Sequence, residues 1–300
     1  MPLGNVDQSI LKIKLDGGFE FDSMTYNEGR NFLSKLEKLP MEIFFNQWRH
    51  ANNVFPNEGV YFIKKIFEFD LPHKENGDPD FCYELSEFTN SLVEKNIENT
   101  LRLLRLFKEG NIYLPCWYVY YVKNGIPSVI YAKGTPYPQN QSLYHLDENE
   151  IENAQEFIDS TKIPFSFDYV KLAHDNYEQS YLLHNDSLAF FTLMIALEVL
   201  FKPQRRSQFS DMISQNAGII LGHSPEEIEK IQKDISDLYD KRSELVHEGK
   251  VIWYAAGEDD DVTRLRRYIR ASIKEIISLD LSKDNLLEYL NQPIKKNRVS

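Results

Sequence analysis

The sequence predicts a mainly helical protein in which an α+β N-terminal domain, residues 1–164, precedes an all-α bundle, residues 165–300. The first half mixes short runs typical of strands with helical patterns, whereas from Phe167 onward apolar residues recur at helical spacing. A length of 300 residues is sufficient for two domains that each bury a core. The predicted boundary between them is Lys162-Ile163-Pro164.

The N-terminal half contains both kinds of element. Leu11, Ile13 and Leu15 alternate with lysines, which predicts a strand that ends at Gly17-Gly18. Asn124-Gly125, between two β-rich runs, is a strong hairpin signal. After the first strand, the predicted elements are helices at 28–39 and 41–50, an extended run at 59–63, a helix at 86–109, a β-hairpin formed by 114–122 and 127–132, and an acidic helix at 147–161.

In the C-terminal half every predicted element is a helix. The second one begins at a cap, Asp186, and ends at Phe201. It is apolar on all sides, so we expect it to be the most buried helix of the bundle. Glu198 is the charged exception on this helix. The predicted helices span 168–183, 186–201, 208–221, 224–249 and 262–281, and the polar tail 292–300 is predicted to fray.

The helix at 224–249 has clear start and stop signals. Ser224 is a predicted N-cap, Pro225 occupies the first helical position, and Glu227 at the third completes a capping box. Gly249 is the predicted stop. Apolar residues repeat along the helix in steps of three and four and predict a seam against other helices. They are Ile228, Ile231, Ile235, Leu238 and Leu245.

Arg242 lies on this predicted seam. A guanidinium group stays charged and is costly to bury without an anionic partner. Glu198, a carboxylate on an otherwise apolar helix, is the natural candidate, so we expect a salt bridge between the two side chains. The alternative is that Glu198 points into solvent at the end of its helix.

A family resemblance follows from the residues around Arg242. Residues 242–247, RSELVH, match the R-x4-H signature of HEPN domains, which are helical bundles that include many metal-independent ribonucleases. The run DLYDKRS at 237–243 and the upstream run ALEVLF at 196–201 resemble the Apea-like branch of that superfamily. The resemblance covers roughly Phe167 to Leu281. It implies that Arg242 and His247 are catalytic and that Glu198, Tyr239 and Ser243 support them.

The residue types at Arg242 and His247 suit metal-independent cleavage of RNA. That reaction needs an acid, a base and a cation that stabilises the charge at phosphorus. Histidine has an unperturbed pKa of about 6.5 and can transfer protons near neutral pH. One histidine cannot act as both acid and base in one step unless water or another group handles the second proton. A five-residue interval also separates His247 from Arg242 by about 140° around a helix. A homodimer with a composite site satisfies both constraints. The structural alternative makes Arg242 an ion-pair anchor and His247 a partner of the helix dipole.

Composition limits the other possibilities. The net charge of −12 argues against a broad basic surface for nucleic acid, so any RNA site must be local. Basic residues cluster at 202–206 and at 264–270, although each cluster is also compatible with a solvated helix face. Cys82 and Cys116 lack metal-ligand spacing and are predicted to be buried free thiols. We find no metal or cofactor motif, no secretory signal and no membrane span, and therefore expect a cytoplasmic protein.

Two functional hypotheses follow from the resemblance and the composition. The first is a metal-independent endoribonuclease, acting on RNA as a homodimer, that serves as a regulated toxin in stress or antiviral defence. Its N-terminal domain would sense a trigger or bind a regulatory protein. The alternative is a non-catalytic HEPN module that binds a protein partner or RNA. The intact R-x4-H signature favours the enzyme, and the acidity of the chain favours the binding module.

Overall fold

A computed structural model describes residues 1, 3–25, 27, 28, 31, 60–66, 87–123, 126–134, 142–202, 209–248 and 260–291. The chain divides into two compact units, Met1–Lys162 and Ile163–Ser300. The described residues are mainly helical, with two antiparallel sheets of two strands each.

The first unit contains all of the strands in the described part of the chain. In chain order its elements are β1 (Glu20–Met24), β2 (Val60–Lys64), α1 (Asn99–Phe107), β3 (Cys116–Lys123), β4 (Ile126–Gly134) and α2 (Ile151–Ser160). β1 pairs with β2, and β3 with β4. One face of α1 packs into a core shared with β2, β3 and the N-terminal segment, through buried residues that include Leu101, Leu104, Ile63, Trp117 and Ile10.

The strand predicted at Leu11–Leu15 is wrong. Residues Gln8–Lys12 form a 3-10 helix, in which the Asp7 carboxylate accepts hydrogen bonds from the backbone N–H (2.9 Å) and the hydroxyl (2.6 Å) of Ser9. Ile10 and Ile13 are both buried, whereas Leu11 is exposed. Ile10 and Ile13 therefore share the buried side at a spacing of three residues, as a 3-10 helix requires, whereas a strand would bury alternate residues. The neighbouring strand β1 was not predicted.

The other elements predicted in this unit agree with the structure where it is described. Residues 87–107 are helical, with a π-helical segment at Glu94–Glu98, and Val60–Lys64 is a strand. The hairpin is confirmed: β3 and β4 pair from Cys116↔Gly134 to Lys123↔Ile126. The acidic helix is confirmed as α2, which follows a capping box of Asp147 and Glu150. The helices predicted at 28–39 and 41–50 lie almost entirely outside the described residues.

Cys116 is a buried free thiol, as the sequence predicts. Burial raises the pKa of the Cys116 thiol to about 11, so the group stays protonated at neutral pH. Cys82 lies outside the described residues.

In the second unit every element among the described residues is a helix. They are α3 (Asp168–Leu182), α4 (Asp186–Phe201), α5 (Phe209–Leu221), α6 (Pro225–Glu248), α7 (Asp261–Leu279) and α8 (Lys283–Asn291). α4 packs against α3, α5 and α7, and α5 packs against α6. The first five match the predicted helices, and α8 was not predicted. The N-cap of α4 is Asn185, whose side chain accepts from the Leu188 N–H, and not Asp186.

α4 is the central helix of this unit, as expected, but one of its faces is open. Eight of its residues are buried, including Phe190, Leu193 and Leu197. Leu188 and Ile195, seven residues apart on one face, remain 53% and 48% exposed. Apolar residues on all sides of α4 therefore do not mean burial on all sides, since this stripe is exposed.

The start of α6 is capped partly as predicted, and its predicted stop residue lies just beyond the observed end. Ser224 Oγ accepts from the Glu227 N–H at 3.2 Å, which is one half of the predicted capping box. The Glu227 carboxylate accepts from the N–H of His223 at 2.8 Å, and so the reciprocal bond is made one residue earlier than predicted. The helix ends at Glu248, and Gly249 lies outside the described residues.

No helix in the described part of the chain has both the length and the apolar character needed to cross a bilayer.

A chain of charged side chains links three segments of the first unit. His145 lies between two carboxylates: its Nδ1 contacts Asp7, and its Nε2 is 3.3 Å from Asp147 Oδ1. Lys108 contacts Asp147 at 3.0 Å and also pairs with Glu150. The hydrogen bond to Asp7, followed by the charges of Asp7 and Asp147, raises the pKa of His145. Protonated His145 therefore stabilises the fold.

We predict that His145→Gln destabilises the first unit at pH 6 and has little effect at pH 8.5. Because the folded pKa of His145 lies above its unfolded value, the stabilisation is complete below the unfolded pKa and is lost as the pH rises through the folded pKa. The side chain is 50% exposed, so the effect should not exceed about 1 kcal/mol. Amide hydrogen exchange of the core residues Ile63 and Leu104 measures it, with wild type and variant compared at equal pH.

His184→Gln, in the exposed turn between α3 and α4, controls for loss of a surface histidine. A destabilisation by His145→Gln that is equal at both pH values would contradict the ion-pair explanation.

Candidate functional site

Glu198 and Arg242 form an ion pair between two helices of the second unit. Glu198 lies in the last turn of α4, and its Oε1 is 3.4 Å from Nη2 of Arg242 on α6. The predicted salt bridge is confirmed. Its burial is less than a position on the apolar seam implies, because the Arg242 side chain is 40% exposed and the Glu198 side chain 22% exposed.

The partial exposure of Arg242 follows from unequal helix lengths. α5 has 13 residues and α6 has 24, and a three-residue turn joins them. α5 therefore covers only about the first two thirds of α6, with Gly218 of α5 against Gln232 and Gly222 against Ile228. Ile235 and Leu238 are fully buried, whereas Leu245 is only partly so. The C-terminal third of α6, which carries the R-x4-H residues, extends beyond the cover of α5.

A second cation shares the carboxylate of Glu198. Lys202, the residue after α4, places Nζ 3.7 Å from Glu198 Oε2 and 4.0 Å from the centroid of the Phe209 ring. Both cations lie at the carboxyl end of α4, where the helix dipole also favours positive charge. Arg205 and Arg206, which the sequence groups with Lys202, lie outside the described residues. The pair of Glu198 and Lys202 was not predicted, although its i,i+4 spacing is a sequence signal for such a contact.

Tyr239 lies one turn before Arg242, and its hydroxyl is buried without a hydrogen-bond partner among the described residues. Burial and, second, the nearby charge of Glu198 raise the pKa of Tyr239, and Arg242 opposes them only in part. The hydroxyl is therefore a protonated donor at neutral pH. Its position beside Glu198 and Arg242 agrees with the supporting role that the resemblance implies.

His247 and Ser243 are not part of this cluster. Both side chains are exposed on α6, and neither forms a hydrogen bond or ion pair within the described part of the chain. α6 is continuous from Arg242 to His247, so the two residues are separated by about 140° around the helix and about 7.5 Å along it. Within one subunit, the structure brings Glu198, Tyr239, Lys202 and Arg242 together and leaves His247 outside.

The basic residues of α7 do not form one surface cluster. Arg266 is buried, donates to the Ser180 hydroxyl (2.9 Å) and carbonyl (2.6 Å), and stacks on the Tyr181 ring. Arg264 pairs with Asp261 at 2.6 Å. Both sequence interpretations of this cluster, as an RNA surface or as a solvated helix face, are wrong for Arg266.

The chemistry that this arrangement can support is anion binding by a preorganised cation pair. Arg242 has a planar fork of donors that suits phosphate oxygens, Lys202 adds a point charge, and Tyr239 adds a neutral donor. In the described part of the chain, His, Cys, Asp and Glu side chains form no group suited to a metal ion. A proton-transfer group must come from outside the cluster.

Comparison of the chain with family models, curated proteins and solved structures finds no match. None of these comparisons identifies the HEPN superfamily, so the resemblance rests on the sequence of residues 196–201 and 237–247 alone.

We predict that Glu198 and Arg242 are energetically coupled by about 0.5–1 kcal/mol, the range for a partly exposed ion pair. A double-mutant cycle with Glu198→Gln and Arg242→Gln, followed by urea denaturation, measures the coupling. Both single variants should unfold at lower urea than wild type, because Glu198→Gln leaves two cations without their carboxylate and Arg242→Gln removes one of the two cations that contact Glu198.

Lys233, exposed on α6, provides the matched control: Glu198→Gln and Lys233→Gln should give additive effects. Additivity of the Glu198 and Arg242 variants as well would mean that the observed contact does not stabilise the fold.

Proposed function

We propose that the protein is a metal-independent endoribonuclease of the HEPN type that acts as a homodimer with a composite Arg/His active site. The observation that carries the proposal is the Glu198–Arg242 pair, held half-exposed where α6 extends beyond α5, on the same helix as His247. An ion pair that only stabilises the fold does not need to be exposed to solvent, whereas a residue that binds the phosphate of a polymer does.

Each site residue has a role that fits its environment. Arg242 donates to the phosphate oxygens and stabilises the negative charge that develops at phosphorus. Glu198 orients the guanidinium group, and Tyr239 supplies a protonated donor beside it. His247 transfers one proton while water handles the second, and the exposure of His247 leaves it available to a strand bound on a second subunit. Ser243, also exposed, lies between them in the sequence.

The proposed dimer brings His247 of one subunit to Arg242 of the other. Exposed apolar residues flank the ion pair and favour such an interface: Ile195 lies one turn before Glu198 on α4, and Val246 one turn after Arg242 on α6. They are 48% and 55% exposed. A two-fold interface buries the same patch on both subunits, and His247 is the immediate neighbour of Val246.

The proposed physiological role is a regulated cytoplasmic toxin in stress or antiviral defence. A nuclease of this kind requires restraint, and the first unit, a separate compact body with its own strands and core, is the candidate sensor of a trigger or regulatory protein. RNA is the proposed substrate.

The alternative function is a non-catalytic HEPN module that binds a protein partner or RNA. Two observations favour it. His247 does not reach Arg242 within one subunit, and the net charge of −12 disfavours non-specific affinity for RNA. The alternative keeps the Glu198–Arg242 pair as a recognition element and gives His247 no chemical role.

We predict that the purified protein cleaves single-stranded RNA in the presence of EDTA and leaves a 2′,3′-cyclic phosphate and a 5′-hydroxyl. These ends result when the 2′-hydroxyl attacks phosphorus with proton transfer by histidine, whereas a metal-activated water typically leaves a 5′-phosphate. His247→Ala should lower the rate by about a hundredfold or more without changing the unfolding transition, because the side chain is exposed.

His223→Ala, which removes an exposed histidine before the first turn of α6, is the control and should retain wild-type activity. A substrate with one 2′-deoxy nucleotide at the cleavage site should resist. Equal cleavage of that substrate would exclude the proposed nucleophile, and absence of cleavage by the wild-type dimer would favour the binding module.

A further inference from the structure

Two cations share the carboxylate of Glu198. Arg242 and Lys202 contact its two oxygens at 3.4 and 3.7 Å, which are ion-pair distances beyond the 2.7–3.2 Å of a normal hydrogen bond. Both side chains retain about 40% exposure, 40% for Arg242 and 41% for Lys202. Among the described residues, these contacts place two partly exposed cations against one carboxylate.

A second cation pair in the same unit has shorter contacts with the carboxylate that it shares. Lys241 and Arg264 also share one carboxylate, that of Asp261, but at 2.7 and 2.6 Å. The contacts of that cluster are therefore at hydrogen-bond distance. The longer distances at Glu198 are not shared by this second cation pair.

Lys202 is also held in position. Its ammonium lies 4.0 Å from the centroid of Phe209, the first residue of α5, while its backbone N–H donates to the Glu198 carbonyl as the C-cap of α4. A lysine restrained by a ring and a carboxylate loses less conformational entropy on binding than a free surface lysine. Because Lys202 and Arg242 contact one carboxylate, they are close enough to reach one phosphodiester or two that are neighbours in a strand.

We propose that Lys202 is a second phosphate-binding residue of the site and that, together with Arg242, it holds the sugar-phosphate backbone of a single RNA strand. The inference rests on the proposed function, since it takes RNA as the ligand, but it concerns binding and not the cleavage step. Glu198 sets the spacing of the two cations, and Tyr239 adds a neutral donor beside them. The family motif does not include Lys202.

The test measures binding separately from cleavage. The probe is a fluorescent single-stranded RNA with 2′-O-methyl groups throughout, which has no 2′-hydroxyl nucleophile. Its dissociation constant is measured by anisotropy from 50 to 300 mM KCl for wild type, Lys202→Gln, Lys202→Arg and Lys241→Gln. The matched control Lys241→Gln removes the same charge from a side chain of similar exposure, 47%, whose ammonium is hydrogen-bonded to Asp261.

A plot of the logarithm of the association constant against log [KCl] has a negative slope. Loss of one phosphate contact on a single strand reduces the magnitude of this slope by about 0.7. We expect this decrease in Lys202→Gln, with weaker binding at 50 mM, and we expect wild-type slopes in Lys202→Arg and Lys241→Gln. A wild-type slope in Lys202→Gln, an equal decrease in Lys241→Gln, or no binding by wild-type protein would each overturn the inference.

Cleavage of unmodified RNA by the same variants separates the two proposals. If the wild-type protein cleaves RNA and Lys202→Gln keeps the wild-type salt dependence of binding, the proposed role of Lys202 is wrong and the proposed nuclease activity is supported. The expected change in slope without any cleavage by wild type means that the binding residue stands while the nuclease fails.

Discussion

The site of the second unit depends on the ion pairs that the Glu198 carboxylate forms with two cations. The carboxylate is a negative charge at the carboxyl end of α4, where the helix dipole disfavours it, and it is stable there because Arg242 and Lys202 contact its two oxygens. The same contacts fix a guanidinium group and an ammonium group beside a buried tyrosine hydroxyl. One acidic residue thus holds two partly exposed cations together in a protein whose net charge is −12.

The lengths of the helices determine what the cluster can reach. α5 is shorter than α6, so the last turns of α6 extend beyond it, and Arg242, Val246 and His247 lie on this uncovered part. Arg242 faces α4, whereas His247 lies on another side of the helix. A proton-transfer group and a phosphate-binding group on different sides of one helix can serve one substrate if two copies pair through that end. The proposed dimer satisfies this geometric requirement, and the exposed Val246 favours it.

The sequence predicted the second unit better than the first, for physical reasons. Helices such as α3 and α6 are local structures whose apolar spacing and caps can be read directly, and even the contact of Glu198 with Arg242 followed from two misplaced charges. The strand prediction for Leu11–Leu15 failed because a local polar interaction, the Asp7–Ser9 turn, set the backbone conformation there. The exposure of Arg242 was not predictable because it depends on how far α5 covers α6. The contact of Lys202 with Phe209 was not predictable because it depends on how α4 and α5 pack.

Subunit complementation tests the central claim, a composite site, most directly. Arg242→Ala and His247→Ala subunits are each expected to be inactive as homodimers. In a mixed dimer, one of the two sites has an intact Arg242 from one subunit and an intact His247 from the other. We expect mixing the two variants to restore RNA cleavage, to roughly half the wild-type rate per mixed dimer. Mixtures that exchange subunits, as shown by mass spectrometry, and yet remain as inactive as the separate variants would contradict the composite site.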